Sequence, residues 1–298
     1  MIFGHNGMWV TSTNASGVGT NVSGVKLIGD SGSYSGFSVS NGGDVNADSI
    51  DDFIIGGYFA SPHGRVYAGR AWIVFGRNKM RNWTGMVNLT TLTLPDGVVI
   101  DGAIADDHFG YSVSGKVDVN HDGISDLIIG SPFASPNSKS SAGTTTVIFG
   151  RKTWKGEIDT LTDINGTNGF KLLGEDSGDR SGHSVSFAGD VNSDGIQDFI
   201  IGAFQWNKNN TMTFVGRSYV VFGKAGGGWP AMMNLSTIDG NNGFTLDGSV
   251  SGEHSGVSGS NAGDVNNDGK DDLITWCSLL EFRHRKSICC AWTITSVQ

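Results

Sequence analysis

The chain has 298 residues, 46 of them glycine, and a formal net charge of −9. The length is sufficient for one large all-β domain, and so much glycine without a collagen period favours short strands joined by tight turns. The sequence has no basic stripe, which argues against a nucleic-acid partner, and no run of about 18 apolar residues, so no membrane span is expected within it.

A nine-residue stretch rich in aspartate occurs four times, with copies that begin at Asp44, Asp118, Asp190 and Asp264. Each copy lies in a unit of about 73 residues, and similarity at a fixed period is the sequence signature of an array of repeated structural units. Each full unit is predicted to contain a strand, the nine-residue loop, an Ile-Ile-Gly strand, a variable connection, a third strand ending in Phe-Gly, and a fourth strand. Four short strands per unit predict an all-β fold, a β-propeller of four-stranded blades.

The strands are predicted from period-two alternation and from β-branched residues. The first strand of each unit is predicted at 35–40, 109–114, 181–186 and 255–260. The second is predicted at 53–56, 127–130 and 199–202, and the fourth at 25–28, 98–100, 170–173 and 244–246. Because glycine and serine recur in the first strands, we expect these strands to be innermost, where they converge on an axis.

Oxygen-bearing side chains stand at positions 1, 3, 5 and 9 of every loop, as in Asp118, Asn120, Asp122 and Asp126. Ca²⁺ takes about six to eight oxygen ligands, and glycine at position 6 permits the sharp bend. We therefore predict up to four structural Ca²⁺ sites, in which the carbonyl of position 7 completes the ligands. The predicted ligands are Asp44, Asn46, Asp48, Ile50 and Asp52; Asp118, Asn120, Asp122, Ile124 and Asp126; Asp190, Asn192, Asp194, Ile196 and Asp198; and Asp264, Asn266, Asp268, Lys270 and Asp272.

An EF-hand shares the first half of this pattern, but it requires a bidentate glutamate at position 12 and flanking helices. Position 12 holds Ile55, Ile129, Ile201 or Thr275 here, and strands are predicted after the loop, so the site is predicted to lie between two strands. A plain Asp/Asn turn is the alternative for any single copy, whereas four copies in one register favour metal binding. The first copy has Ser49 in place of glycine at position 6, so we expect it to bind calcium most weakly if that residue requires positive φ.

The repeat also predicts the boundaries of the units. Residues 1–30 are predicted to end a preceding blade, complete blades are predicted at 31–104, 105–177 and 178–250, an incomplete blade at 251–274, and an anomalous tail at 275–298. The tail contains Cys277, Cys289 and Cys290 and breaks the repeat pattern. We favour a natural repeat sequence that ends near Ile274 over a functional basic or cysteine-bearing tail. Because an open ring leaves strand edges bare, we expect the chain to be a fragment of a larger ring.

The sequence Phe109-Gly110, the Asp-x-Asn-x-Asp-Gly-x-x-Asp loop and the run from Ile129 to Pro132 together resemble the FG-GAP repeat. This repeat occurs in the propeller of integrin α subunits and in glycosylphosphatidylinositol-specific phospholipase D. The resemblance covers residues 1 to about 274. It implies an FG-GAP-type β-propeller of about seven blades in the whole ring, with structural Ca²⁺ on the face opposite the ligand surface. Serine replaces the phenylalanine of Phe-Gly in the other copies, at Ser35, Ser181 and Ser255.

Three functions are compatible with these observations. The first is a calcium-stabilised extracellular binding or adhesion module that presents the variable connections 58–69, 131–143 and 203–216 to a protein or glycan partner. The second is an accessory propeller of a secreted hydrolase or lyase, similar to phospholipase D, whose catalytic domain lies outside this chain. The third is a structural spacer.

Candidate catalytic groups are sparse. The histidines His63, His108, His183 and His254 are scattered along the sequence, and neither a nucleophile elbow nor a His-based zinc motif is present. We therefore predict that the chain is not itself an enzyme. Tryptophans at matching repeat positions could form a sugar-stacking surface, but packing is favoured; they are Trp9, Trp83, Trp154 and Trp229.

The setting is predicted to be extracellular or at the cell surface, where millimolar calcium suits loops of modest affinity. The chain opens without a basic and apolar secretory signal. Seven N-x-Ser/Thr sequons would permit glycosylation, although a chain so rich in Asn, Ser and Thr contains nearly as many by chance.

Overall fold

The computed structural model describes residues 24–77, 85–209, 211–278 and 291–292. Regular structure in these residues consists of β-strands and short 3₁₀ turns, and no helix among them has the length and apolar composition of a membrane span. In chain order the strands are β1 (Lys26–Ile28), β2 (Ser38–Gly43), β3 (Asp52–Gly57), β4 (Arg70–Val74), β5 (Met86–Asn88), β6 (Gly97–Asp101), β7 (Ser112–Val117), β8 (Asp126–Ser131), β9 (Thr144–Ile148), β10 (Glu157–Asp159), β11 (Gly169–Leu173), β12 (Ser184–Gly189), β13 (Asp198–Ala203), β14 (Arg217–Val221), β15 (Met232–Asn234), β16 (Gly243–Asp247), β17 (Ser258–Gly263), β18 (Asp272–Trp276) and β19 (Ala291–Trp292). The 3₁₀ turns are Pro62–Gly64, Leu89–Thr91, Pro136–Ser138 and Leu235–Thr237.

Successive sheets follow one another along the chain. The first has the strand order β10-β6-β4-β3-β2, the second β15-β11-β9-β8-β7, and the third β12-β13-β14-β16. The described part of the last repeat adds a sheet of β17, β18 and β19, and β1 pairs with β5. This is the predicted all-β class, and the series of four- and five-stranded sheets is consistent with a partial β-propeller.

Four strands of each of the first two sheets are antiparallel neighbours from one repeat, while the fifth comes from further along the chain. β10 pairs in parallel with β6, and β15 pairs in parallel with β11. The sequence analysis did not predict these edge strands, which are only three residues long. They join each sheet to a segment of the following repeat.

The second strand of each sheet is apolar on both faces because it lies between two apolar layers. In β3, Ile54 packs with Ile73 and Ile129 in the layer shared with the second sheet. Its neighbour Ile55 packs with Trp72 in a separate cluster on the other side. Burial of each such side chain contributes about 1.5–3 kcal/mol to folding, which explains the unbroken Ile-Ile runs in place of alternation.

The first strands of successive sheets lie innermost, as predicted. β2 packs against β7, β7 against β12, and β12 against β17. Serine hydroxyls donate hydrogen bonds of 2.8–3.0 Å from one sheet to a glycine carbonyl of the next, as from Ser112 to Gly182. A Cβ on Gly130 would lie 2.0 Å from the same carbonyl oxygen. Only glycine therefore fits at this point of contact between sheets.

The predicted start of each first strand was wrong by three residues. β7 begins at Ser112 rather than at Phe109. Gly110 has φ of +83°, a left-handed conformation that an extended strand does not adopt. Phe109 instead forms an isolated parallel bridge with Gly69. The Phe-Gly pair therefore belongs to the turn that enters the strand.

The predicted terminal segments lie partly outside the described residues. Residues 1–23 of the predicted preceding blade are outside, as are residues 279–290 and 293–298 of the predicted tail, with Cys289 and Cys290. Within the described part, β18 continues to Trp276, which pairs with Ser258. The strand thus extends two residues into the segment predicted to be anomalous.

Candidate metal centre

The predicted metal loops connect the first two strands of each sheet. In the second loop, Asp118 folds back over the chain, and its Oδ1 and Oδ2 accept hydrogen bonds from the backbone N–H of Asp122 (3.0 Å) and Gly123 (2.9 Å). Asn120 Oδ1 accepts from the same Asp122 N–H at 3.0 Å. Because Asp118 and Asn120 share this donor, the loop brings the oxygens of positions 1 and 3 together. Asp122 Oδ1 in turn accepts from the backbone N–H of Ile124 at 2.9 Å.

The other three loops repeat this arrangement. The corresponding hydrogen bonds measure 2.8–3.1 Å in every copy. The structure thus places the side chains of positions 1, 3 and 5 alike in the four loops; these are Asp44, Asn46 and Asp48; Asp118, Asn120 and Asp122; Asp190, Asn192 and Asp194; and Asp264, Asn266 and Asp268.

The sharp bend of each loop requires a left-handed residue at position 6. Gly123, Gly195 and Gly269 have φ of +82° to +85° there. In the first loop Ser49 occupies the same position with φ of +67°. A side chain in this conformation costs about 1–2 kcal/mol relative to the right-handed region. Ser49 thus has the positive φ under which we predict that the first loop binds calcium most weakly.

Position 9 is buried and differs in its surroundings from the other acidic positions. Asp126 is the first residue of β8, and its Oδ2 accepts from the N–H of Val119 (2.9 Å) while its Oδ1 accepts from that of Gly150 (2.8 Å). Asp52 and Asp198 make the same two kinds of hydrogen bond. Asp272 accepts from the N–H of Val265 and from the Asn266 amide. In each of the first three sheets, position 9 thus connects the loop to the end of the third strand.

Burial dominates the electrostatics of position 9. It raises the pKa of Asp52 to about 7 and that of Asp198 to about 7, and it raises the pKa of Asp126 well above its usual range. The backbone N–H groups oppose this shift, and the two other carboxylates of the same loop add to it. A divalent cation in the loop would counter this repulsion.

A second kind of Phe-Gly pair follows the third strand of each of the first three sheets, and its glycine supports the loop; these glycines are Gly76, Gly150 and Gly223. The sequence analysis did not predict this role. The N–H of Gly150 donates to Asp126, as described above. A Cβ on Gly150 would lie 2.5 Å from a methyl carbon of Ile124 at position 7 of the loop. Gly76 and Gly223 have the same neighbours in their sheets. A strand can end without glycine, so the recurrence of glycine at this position was the sequence signal for its contact with the loop.

The donor set of the loops fits calcium. Every side-chain donor at positions 1, 3, 5 and 9 is a carboxylate or amide oxygen, the ligands that Ca²⁺ prefers. Three carboxylates per loop exceed the charge of one divalent ion. The position 7 residues, Ile50, Ile124, Ile196 and Lys270, donate their N–H to position 5, and their carbonyls stay predicted ligands. A bound Ca²⁺ would supply positive charge at the turn of each hairpin.

Aromatic and imidazole rings lie at the opposite end of the same strands. β3 starts at Asp52 in the first loop and ends at Gly57, so Tyr58 and Phe59 lie roughly 20 Å from that loop. Their ring contacts continue across the connections between sheets, with centroids 4.3–6.2 Å apart. We name this set the aromatic face; it comprises Tyr34, Phe37, Tyr58, Phe59, Tyr67, His108, Tyr111, Phe133, His183, Phe204, Phe214 and His254.

The aromatic face collects residues that are far apart in the sequence. Three of the histidines treated above as scattered, His108, His183 and His254, belong to it. Arg180 stands at the repeat position of His108, and its guanidinium lies 4.7 Å from the ring of Phe133. Tyr34, His108, Arg180 and His254 all have φ between +53° and +58°. The sequence signal for the face was this shared position, two residues before the repeated glycines Gly36, Gly110, Gly182 and Gly256.

Comparisons with known proteins agree with this architecture. The FG-GAP repeat family matches residues 109–148. The chain is 31% identical over 188 residues to integrin alpha pat-2 of Caenorhabditis briggsae, which is 62% of this chain and 14% of the relative. It is 28% identical over 180 residues to integrin alpha-5 of Xenopus laevis, and 26% identical over 161 residues to phosphatidylinositol-glycan-specific phospholipase D of Bos taurus. These alignments cover 57% and 54% of this chain, and 14% and 17% of the two relatives. The chain is an FG-GAP repeat protein related to integrin alpha chains.

Proposed function

We propose that this chain is a calcium-stabilised binding module, active outside the cell or at its surface, that presents its aromatic face to a protein or glycan partner. The observation that carries the proposal is the position of the aromatic face at the strand ends opposite the acidic loops. In this proposal the acidic loops stabilise the hairpins at one end of the sheets, and the aromatic face at the other end binds the partner.

Several members of the aromatic face are open to solvent. Tyr34 is 61% exposed and Phe37 is 52% exposed, and Tyr67 and Phe214 are also exposed. Large exposed apolar side chains in one continuous patch are typical of interaction surfaces. Tyrosine and other aromatic residues supply much of the binding energy at protein interfaces, and their rings can also stack on sugars.

The calcium sites would serve this surface indirectly. A ligand that binds only the folded state stabilises it by about 2.7 kcal/mol per site at a hundredfold excess over Kd. Because β3, β8 and β13 each begin at a loop and end beside the aromatic face, a fixed hairpin fixes the base of each variable connection. Calcium is therefore expected to support binding through the fold.

An array of glycans and extracellular-matrix proteins, probed with the labelled chain in calcium, tests the proposal. We expect binding to at least one class, reduced tenfold or more in Phe37→Ser, which removes about 1.4 kcal/mol of binding energy. Val265 is 65% exposed in the fourth loop, at the other strand end, and Val265→Ser is the matched control. Binding that survives Phe37→Ser but is lost in Val265→Ser contradicts the proposal, as does no binding above background.

A second candidate function follows from the similarity to the bovine phospholipase D. In this alternative the chain is the accessory propeller of a secreted hydrolase or lyase. It predicts that the chain or its parent protein hydrolyses a phosphatidylinositol-glycan substrate, and that this activity survives Asp122→Ala. Our proposal predicts that the chain alone has no such activity.

A further inference from the structure

One histidine and two carboxylates from three separate segments meet outside the calcium loops. His63 lies in the variable connection between β3 and β4, Asp101 ends β6, and Glu157 begins β10. His63 Nε2 is 3.0 Å from Asp101 Oδ2 and 2.9 Å from Glu157 Oε1. All three ligand atoms lie within 4.8 Å of one another, an arrangement that no other His, Cys, Asp or Glu trio in the described residues achieves.

The cluster carries an excess of negative charge around a buried carboxylate. Asp101 is fully buried, and Arg70 donates to it through Nε (2.5 Å) and Nη2 (3.1 Å). Arg70 also contacts Asp30 at 3.2 Å. With His63 neutral, the three carboxylates and one guanidinium leave a local formal charge of −2, which one divalent cation would balance. A carboxylate oxygen has two lone pairs, and Arg70 donates to only one of those on Asp101 Oδ2, which leaves the second for a metal.

The donor types select a transition metal over calcium. Ca²⁺ takes oxygen ligands, whereas Zn²⁺ accepts imidazole nitrogen together with carboxylate oxygen. In a tetrahedral zinc site with bonds of about 2.0 Å, ligand atoms are about 3.3 Å apart. The distances from His63 Nε2 to the two carboxylates are only 0.3–0.4 Å shorter than this. The side chains of His63 and Glu157 are about half exposed, which leaves an open side for water or a further ligand.

We propose that His63, Asp101 and Glu157 form a binding site for a divalent transition metal such as Zn²⁺, separate from the calcium loops. The site would connect the first variable connection to β10, the edge strand that comes from the next repeat. Arg65 in the same connection already forms an ion pair of 2.9 Å with Asp159 of β10. A metal beside this ion pair would hold the segment that carries Tyr58 and Phe59 of the aromatic face.

The second sheet provides a natural control, because it has the same backbone without the ligands. Asn137 replaces His63 in an equivalent 3₁₀ turn, with φ of +53° against +52°. Leu173 takes the place of Asp101 at the end of β11, and Met232 that of Glu157 at the start of β15. The three ligands therefore occur together in one sheet and are all replaced in the next, so the common fold does not require them.

Zinc titration at saturating calcium tests the site, so that its outcome does not depend on the calcium proposal. Equilibrium dialysis with zinc chloride should show one more tightly bound zinc per wild-type chain than per His63→Asn or Glu157→Gln chain, with at least a hundredfold loss of affinity at this site. His121→Ser is the matched control, since it removes an imidazole from the second calcium loop and inserts the residue found at Ser193. Equal zinc binding by all four chains overturns the proposal, as does an equal loss in His121→Ser.

A second measurement uses only the wild-type chain and so avoids any effect of substitution on folding. Diethyl pyrocarbonate modification of His63, mapped by mass spectrometry, should fall at least tenfold with zinc but not with calcium. His121 serves as the internal reference and should stay reactive in zinc. An imidazolium that is merely paired with two carboxylates predicts equal modification of His63 with and without zinc, and that result overturns the site.

Discussion

Replacement of Asp126 by alanine should separate the structural role of an acidic loop from its metal-binding role. Asp126 is fully buried and accepts two backbone hydrogen bonds, one from the loop and one from the end of the third strand. Alanine would leave both N–H groups without an acceptor, at about 1–3 kcal/mol each. We therefore expect Asp126→Ala to lower the free energy of unfolding by about 2–6 kcal/mol even without calcium.

Asp122 of the same loop is the matched comparison. It lies at the exposed turn, where it accepts from the N–H of Ile124 and from the Asn120 amide. Its loss without calcium should cost under about 1 kcal/mol, because water can replace it. With calcium, Asp122→Ala should additionally lose the stabilisation from its own site, about 2.7 kcal/mol at a hundredfold excess over Kd.

Urea denaturation of both variants and the wild type, with calcium and with EGTA, measures these effects. The expected pattern in EGTA is a large loss for Asp126→Ala and a small loss for Asp122→Ala. If the two variants lose equal stability in EGTA, the assignment of position 9 as a metal-independent connection between loop and strand is refuted.

The remaining predictions concern the first loop, the tryptophans and pH. Ser49→Gly should stabilise the chain by about 1 kcal/mol and tighten the first calcium site, because glycine adopts positive φ without strain. Gly123→Ser should weaken the second site for the opposite reason. Calcium titration by calorimetry measures both affinities, and an unchanged affinity of the first site in Ser49→Gly would contradict the strain argument. Trp154→Phe should lower the free energy of unfolding, measured by urea denaturation, by about 1–3 kcal/mol, because Trp154 Nε1 donates to the buried carbonyl of Val45 at 3.1 Å. Trp229 Nε1 has no hydrogen-bond partner among the described residues, so Trp229→Phe should cost less. Equal losses of stability would refute the role of the Trp154 hydrogen bond. Burial raises the pKa of Asp179 to about 7, above its value of about 4 in an unfolded chain, so the folded state binds the proton more tightly. The free energy of unfolding in EGTA should therefore fall as pH rises from 4 to 7. Asp179→Asn should reduce this dependence of stability on pH, and an unchanged dependence would contradict the raised pKa of Asp179.

Much of the fold could be predicted because the pattern of strands and acidic loop occurs four times in the sequence. The Ile-Ile-Gly runs are apolar on both faces, and the strands predicted from them lie between two sheets, as at Ile54 and Ile55. The first strands were misplaced because Phe109 alternates with its neighbours like a strand residue, while the positive φ of Gly110 interrupts extension. The edge strands β10 and β15 were missed because three residues carry too little periodicity.

The candidate sites differ in how far local sequence describes them. The loop residues from Asp118 to Asp126 are contiguous, so their spacing alone predicted a shared geometry. The aromatic face and the cluster around His63 assemble from distant segments, and only the pairing of sheets brings them together. The link between Asp126 and Gly150 also depends on the third strand, which local sequence does not position.

The most direct test of the account is thermal unfolding of the wild-type chain with Ca²⁺, with Mg²⁺ and with EGTA. For sites with Kd of about 10⁻⁴ M, calcium at about 10 mM is a hundredfold excess, so even one filled loop adds about 2.7 kcal/mol. We predict that calcium raises the melting temperature by at least about 3 °C over EGTA, and by more than magnesium does, since Mg²⁺ requires a tighter octahedral site. A melting temperature that is the same in calcium and in EGTA would contradict the claim that the four loops are structural calcium sites.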